Sequence, residues 1–204
     1  MKIIVVGATG TIGTAVSNLL KEKGHQVFAV SRHSSPSVDI TDENSVEQLL
    51  SQVGTVDAVV CAAGDAAFKS LDQMEDTDLQ LSTNSKLLGQ IKFFLKALPY
   101  LYPNGVIVLT GGILAYQPMP STSAIAMVNG ALESFAKAAA LELHDGKRVV
   151  VVHPDWVAET AAQLGMPTNG LPTAKDTAQA YWNAINSQIN GQPVFVPGHG
   201  PKNR

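Results

Sequence analysis

Apolar residues in this chain gather into short continuous runs instead of alternating with polar ones. The runs are 2-KIIVV-6, 26-QVFAV-30, a brief 37-SVDI-40, 56-VDAVV-60, 105-GVIVL-109, 147-KRVVVV-152 and 193-PVFV-196. Such runs suit strands buried on both faces of a parallel sheet. Between them, helix-period patterning predicts helices near 11–23, 43–52, 74–101, 124–143, 156–163 and 174–188. Thr41 or Asp42 is placed to cap the second helix, and Ser121, Thr122 and Ser123 to cap the fifth. Pro99 and Pro103 close the long helix, and Gly146 follows the fifth. Regular βαβα alternation predicts one doubly wound α/β domain over 1–204, with a mostly parallel sheet of about seven strands and right-handed crossovers. The stretch 161–175, punctuated by Gly, Pro and Asn, reads as either a mobile flap or a plain surface loop.

Composition narrows the function classes. Of 204 residues, 45% are hydrophobic and 15% charged, enough for a sizeable core and too apolar for disorder. A net charge of −3, with no Lys/Arg run, gives no pull toward nucleic acid or an anionic membrane surface. The single cysteine, Cys61, excludes an internal disulfide and a cysteine-based metal cluster, and its apolar surroundings read as core. No metal site is expected. No apolar run approaches the roughly 20 residues of a membrane span. The opening strand lacks the features of a secretory signal, so a cytoplasmic location is expected.

The first strand runs into 7-GATGTIG-13, three glycines at the mouth of a helix. Gly7 allows the tight turn, Gly10 lets backbone approach a pyrophosphate, and Gly13 allows close helix packing. Phosphates then rest on the helix N-terminal N–H groups. In this context the motif predicts a Rossmann-type dinucleotide site. After the second strand comes 30-VSRHS-34, where an NAD site would usually carry an acid for the ribose 2′-hydroxyl. Arg32 stands there instead, which suits a 2′-phosphate and favours NADP(H) over NAD(H).

The glycine loop, 38-VDIT-41, 57-DAVVCAAG-64, Asn84 in 83-TNSK-86 and 153-HPDWVAET-160 follow one another in an order that resembles the short-chain dehydrogenase/reductase superfamily over nearly the whole chain. The resemblance implies that Thr9, Thr11 and Ile12 join the three glycines around the cofactor. It also implies that Asp39 and Ile40 flank the adenine and that Ala62, Ala63 and Gly64 line the cofactor. Pro154 leads to Val157, whose backbone would hold the nicotinamide carboxamide, and Thr160 would reach the pyrophosphate.

The same resemblance implies a proton relay of tyrosine, lysine, serine and asparagine. Tyrosine and lysine four residues apart share one helix face, and the lysine lowers the tyrosine's pKa. In this chain the tyrosine slot holds Ile125, the lysine slot Asn129, and the serine slot Gly112 or Ile113. Segment 117–143 contains no tyrosine at all. Only Asn84 is retained as a catalytic residue. Asn129 keeps an amide that can meet the ribose but lacks lysine's charge. Lys86 is the best remaining cation, while Tyr116, Lys137 and His153 read as structural or solvated and His199 as exposed. Two readings stand: an NADP(H)-dependent oxidoreductase with an atypical site and unknown substrate, or a non-catalytic NADP(H)-binding sensor or regulatory protein. Helices near 84–101 and 124–143 are apolar on more than one side, and the resemblance implies a homodimer or homotetramer through them.

Overall fold

All six strands of the computed structural model, which describes residues 1–201, run parallel in one sheet ordered β2-β1-β3-β4-β5-β6. They are β1 (Lys2–Val6), β2 (Gln26–Val30), β3 (Val56–Cys61), β4 (Leu101–Thr110), β5 (Arg148–His153) and β6 (Pro193–Phe195). The expected strand at 37–40 is absent from the sheet; only an isolated bridge joins Ser31 to Ser37. With Pro36 just before it, this short run cannot supply a full ladder.

Alternate residues of each strand feed two cores, as strands covered on both faces require. Ile4, Val6, Val59, Cys61, Ile107 and Val149 pack against α2 (Glu43–Val53), α4 (Gln90–Ala97) and α5 (Ser123–Ala139). Ile3, Val5, Val60, Val108 and Val150 pack against α1 (Thr11–Glu22) and α7 (Ala174–Asn186). Each fully buried Val, Ile or Phe contributes about 1.5–3 kcal/mol, so the two cores carry the sheet. β1 pairs with both β2 and β3. The chain therefore reverses its direction of travel across the sheet at β1, and a crevice opens beyond the carboxyl ends of β1 and β3.

The helix expected over 74–101 is broken in type. It runs as α3 (Asp76–Leu81), a π-helical segment (Ser82–Gly89), α4, and a 3₁₀ turn at Leu98–Tyr100. The π segment's i→i+5 hydrogen bonds span one residue more than α-helical ones and change which side chains face inward. Ser82, Lys86 and Gly89 are buried within it, while Asn84 is exposed. α5 starts at Ser123 with Thr122 at its N-cap, but the Thr122 hydroxyl makes no bond to the helix: it donates to the Met119 carbonyl and accepts from the Met119 N–H. α6 (Ala158–Gln163) completes the elements. No helix among the described residues is long and apolar enough to cross a membrane.

Candidate functional site

The turn after β1 is built on absent side chains. Gly7 has φ +82°, and a Cβ there would sit 2.5 Å from the Ala62 carbonyl oxygen. A Cβ on Gly13 would overlap the Gly7 carbonyl oxygen. Gly10 is the N-cap of α1 and offers no side-chain cap. The first N–H groups of α1 thus keep their hydrogen-bonding capacity for a ligand. The backbone fit is that of a pyrophosphate cradle.

Two cavities line the carboxyl edge of the sheet and share Ala62 and Gly64. The first, about 240 Å³, is lined by Gly7, Thr9, Gly10, Arg32, Asp39, Ile40, Ala62, Ala63 and Gly64, with Ser31, His33 and Asp65. Arg32 lies 3.5 Å from Asp65, and both side chains are more than half exposed. Thr41 donates to Asp39 Oδ1 from Oγ1 (2.7 Å) and from its N–H (2.9 Å). These bonds hold the Asp39 carboxyl below its usual range.

The second cavity, about 350 Å³, is lined by Ile12, Gly112, Ile125, Asn129, Pro154, Val157 and Thr160, together with Phe68, Lys86, Thr110 and Trp156. Sequence reasoning thus brought Gly112, Ile125 and Asn129 to one place, as the expected i, i+4 face of α5 requires. Gly13 lies behind the turn and lines neither cavity, and three further expectations fall elsewhere. Asn84 lines neither cavity and is exposed. Thr11 lines a third cavity with Thr14, Glu159 and Lys175. Stretch 161–175 lines neither of the first two; Phe68 and Trp156, rings 5.8 Å apart, edge the second instead.

Lys86 is the side chain the π segment delivers in place of Asn84. A relay of hydrogen bonds fixes it. Gln90 clamps Thr110 with two bonds, Nε2 to the Thr110 carbonyl and the Thr110 N–H to Oε1, each 2.9 Å. Tyr181, fully buried, donates to Thr110 Oγ1 (2.8 Å), which donates to the Cys61 carbonyl (2.7 Å). Lys86 Nζ then donates to the Thr110 carbonyl at 3.3 Å. Ser82 and Ser85 accept from the N–H groups of Ala67 and Asp65, tying the loop after β3 onto the π segment. Gly64, at φ +124°, lies so close that a Cβ would be 2.7 Å from Lys86 Cα. Burial lowers the Lys86 pKa to about 8, against weaker opposing pulls from Cys61 and Asp65. Asn129 is fully buried, and neither Nδ2 nor Oδ1 has a hydrogen-bond partner.

Behind the cavity, His153 is fully buried, with Nδ1 3.0 Å from the Gly112 carbonyl and 3.2 Å from the Gly112 N–H. Burial holds its pKa down. Tyr116 donates to Glu133, which also accepts from Lys137 at 2.5 Å and lies 3.3 Å from His153 Nε2. These groups form a structural cluster against Phe195. His199 is half-buried, 3.4 Å from Asp155, instead of exposed. No group of three or more His, Cys, Asp or Glu could hold a metal among the described residues.

A family profile described as enoyl-(acyl carrier protein) reductase matches residues 7–191. The chain belongs to the short-chain dehydrogenase/reductase superfamily. It is similar to the protein lin1944 from Listeria innocua, with 36% identity, a TM-score of 0.90, and coverage of 96% of this chain and 99% of that one. It is also similar to a small-chain dehydrogenase solved in complex with NADPH, with 26% identity, a TM-score of 0.84, and 96% of each chain covered. A 3-ketodihydrosphingosine reductase from Bacteroides thetaiotaomicron is 26% identical over 156 residues, 70% of this chain. The chain spans 58% of that reductase's length.

Proposed function

We propose that this protein is an NADP(H)-dependent oxidoreductase that works without the tyrosine–lysine pair of its superfamily. The observation that carries the proposal is the pair of cavities joined at Ala62 and Gly64, one end roofed by the glycine turn and the other holding Ile125 and Asn129. An extended dinucleotide matches that layout. Gly7, Thr9, Gly10, Ile12 and Gly13 would hold its pyrophosphate, with Thr11 at the margin. Asp39 and Ile40 would flank the adenine, and Ala62, Ala63 and Gly64 would line its middle. Pro154, Val157, Thr160 and Asn129 would hold the nicotinamide end. Arg32, with Ser31 and His33 beside it, supports a 2′-phosphate and so NADP(H) over NAD(H). When bound, the reduced nicotinamide supplies a hydride. Similarity to a dehydrogenase solved with NADPH supports the same cofactor.

Titration of the purified protein with NADPH and NADH, followed by nicotinamide fluorescence, tests this. Tight NADPH binding with NADH at least tenfold weaker is expected; equal binding would remove the role given to Arg32, and no binding would remove the cofactor. A second reading, a non-catalytic NADP(H) sensor, is favoured by one observation, the replacement of three relay residues by Gly112, Ile125 and Asn129. It requires binding with no NADPH consumption on any carbonyl substrate. The exposed apolar Leu88, Leu95 and Met127 on the two helices expected to pair support a homodimer or tetramer, which a monomer mass in sedimentation would exclude.

A further inference from the structure

Two groups in the second cavity lack the partners their chemistry demands. Lys86 is 8% exposed, and no carboxylate lies within ion-pairing distance of it among the described residues. Its one hydrogen bond, 3.3 Å long, goes to a carbonyl that Gln90 already engages at 2.9 Å. Two of its three ammonium N–H groups therefore have no partner among the described residues. Asn129 is buried on the same cavity wall with its whole amide unpartnered. A buried unpaired ammonium costs several kcal/mol and a buried unsatisfied amide about 1–3. Groups held in this state at a cavity wall are complementary to the polar atom of a bound ligand.

The cavity fixes the chemistry of that occupant. Both orphaned donors call for an oxygen with negative or developing negative charge. The rest of the wall, Ile12, Phe68, Leu114, Ile125 and Trp156, calls for an apolar body. Asp155, the one carboxylate on this wall, is taken up by His199 and by the Trp156 N–H.

We propose that Lys86 and Asn129 form an oxyanion site for an apolar carbonyl substrate, in which Lys86 donates the proton that the carbonyl oxygen takes up as the carbonyl is reduced. This rests on the NADP(H) reading, which supplies the reductant. The carbonyl carbon accepts hydride from the reduced cofactor, the C=O π pair moves onto oxygen, and an O–H bond forms as one Lys86 N–H bond breaks. The alcohol and oxidised cofactor leave, and the neutral amine regains its proton from water. Asn129 Nδ2 donates to the same oxygen, which leaves Oδ1 for a ribose hydroxyl. A lysine held near pKa 8 by burial is an ammonium at neutral pH that gives up its proton readily, which supports the assignment.

The groups that bear on Lys86 are few. Cys61 and Asp65 act on it directly, and His153 and Asp155 lie near the cavity. The Cys61 thiol is pushed up to about 12 by burial and stays neutral. On α5, Glu133 and Lys137 pair with each other and do not line the cavity. Asp78 on α3 pairs with Lys69, and Lys92 and Lys96 on α4 pair with Glu43 and Glu47.

The test follows the lysine itself in the full chain, labelled with ¹³Cε-lysine and studied by NMR with and without NADPH. Benzoate serves as the charged probe and benzamide as its neutral match. One lysine resonance should titrate near pH 8 and vanish in Lys86→Met. Benzoate should raise that titration midpoint and bind at least tenfold tighter than benzamide. Lys86→Met and Asn129→Leu should each remove the preference. A midpoint above pH 10, or benzoate bound no tighter than benzamide by the wild type, overturns the oxyanion site without reference to any variant. The nucleotide-free titration stands alone, so a failure of NADPH to bind would sink the cofactor reading and the reduction step while the oxyanion site is judged on benzoate.

Discussion

Replacing Lys86 with methionine should stabilise the protein at neutral pH. The substitution keeps the aliphatic stem that packs beneath Gly64 and removes the charge. A lysine in an unfolded chain titrates near 10.4; burial brings Lys86 to about 8. At about 1.4 kcal/mol per pH unit, the protonated form costs the fold about 3 kcal/mol. The folded pKa lies below the unfolded one, so between them the unfolded state binds more protons and stability rises with pH. The penalty is fully present below pH 8 and fades as pH climbs toward 10.4. Between pH 7 and pH 9.5 the wild type should therefore gain about 2 kcal/mol on Lys86→Met. Urea unfolding of both proteins at matched pH values reads the difference directly, and the subtraction cancels every other titrating group. A gap between the two proteins that is flat across this range would mean that Lys86 is solvated or paired, and would refute the reasoning. The expected gain in stability on removing a functional group matches the usual conflict between stability and function at active sites.

Gly13→Ala should place a methyl group into the Gly7 carbonyl. Overpacking of backbone costs about 1–3 kcal/mol, so urea stability should fall by that amount and NADPH affinity by tenfold or more; unchanged affinity would show that the glycine turn does not hold the pyrophosphate. Arg32→Ala should leave stability within about 0.5 kcal/mol, because its pairing with Asp65 is exposed. A lost charge-assisted contact to phosphate is worth about 1.5–3 kcal/mol. NADPH affinity should thus fall at least tenfold and NADH affinity hardly move, and equal losses would remove the 2′-phosphate assignment.

The layering of the fold was legible in the sequence because each strand is a continuous apolar run, and in parallel sheets burial on both faces leaves little else. The glycine turn was legible for the same local reason: its chemistry depends on missing Cβ atoms, which the letters themselves record. The resemblance points to Asn84, but the π spacing leaves it exposed and turns Lys86 inward. The π segment, polar over Ser82–Lys86, carries no proline and meets its glycine only at Gly89, so nothing in it announces the change of spacing. Lys86 was recognisable as a spare cation, but its burial depends on the Gln90–Thr110–Tyr181 network, whose members lie up to 91 positions apart. Thr122 stands at the N-cap of α5 as expected, but its hydroxyl serves the preceding turn at Met119, which it can satisfy as readily as the following helix.

On the proposed register, a lysine at 129 and a buried Lys86 would conflict in one pocket. The superfamily arrangement implies a lysine at position 129, four residues after a tyrosine. In this protein a lysine already enters the cavity from the π segment. Two ammonium groups in one low-dielectric pocket would each depress the other's pKa, beyond the cost burial already imposes on Lys86. An uncharged residue at 129 relieves that repulsion, and asparagine does so while keeping a donor and an acceptor. Gly112 then follows from Asn129: a Cβ at 112 would come within 2.7 Å of Asn129 Nδ2. A serine there would push the amide out of place. With Lys86 as the pocket's cation, Ile125 supplies apolar wall at the position where the superfamily arrangement implies the tyrosine. On that proposed reading, Asn129 and Gly112 both follow from a pocket whose positive charge comes from the π segment and not from α5.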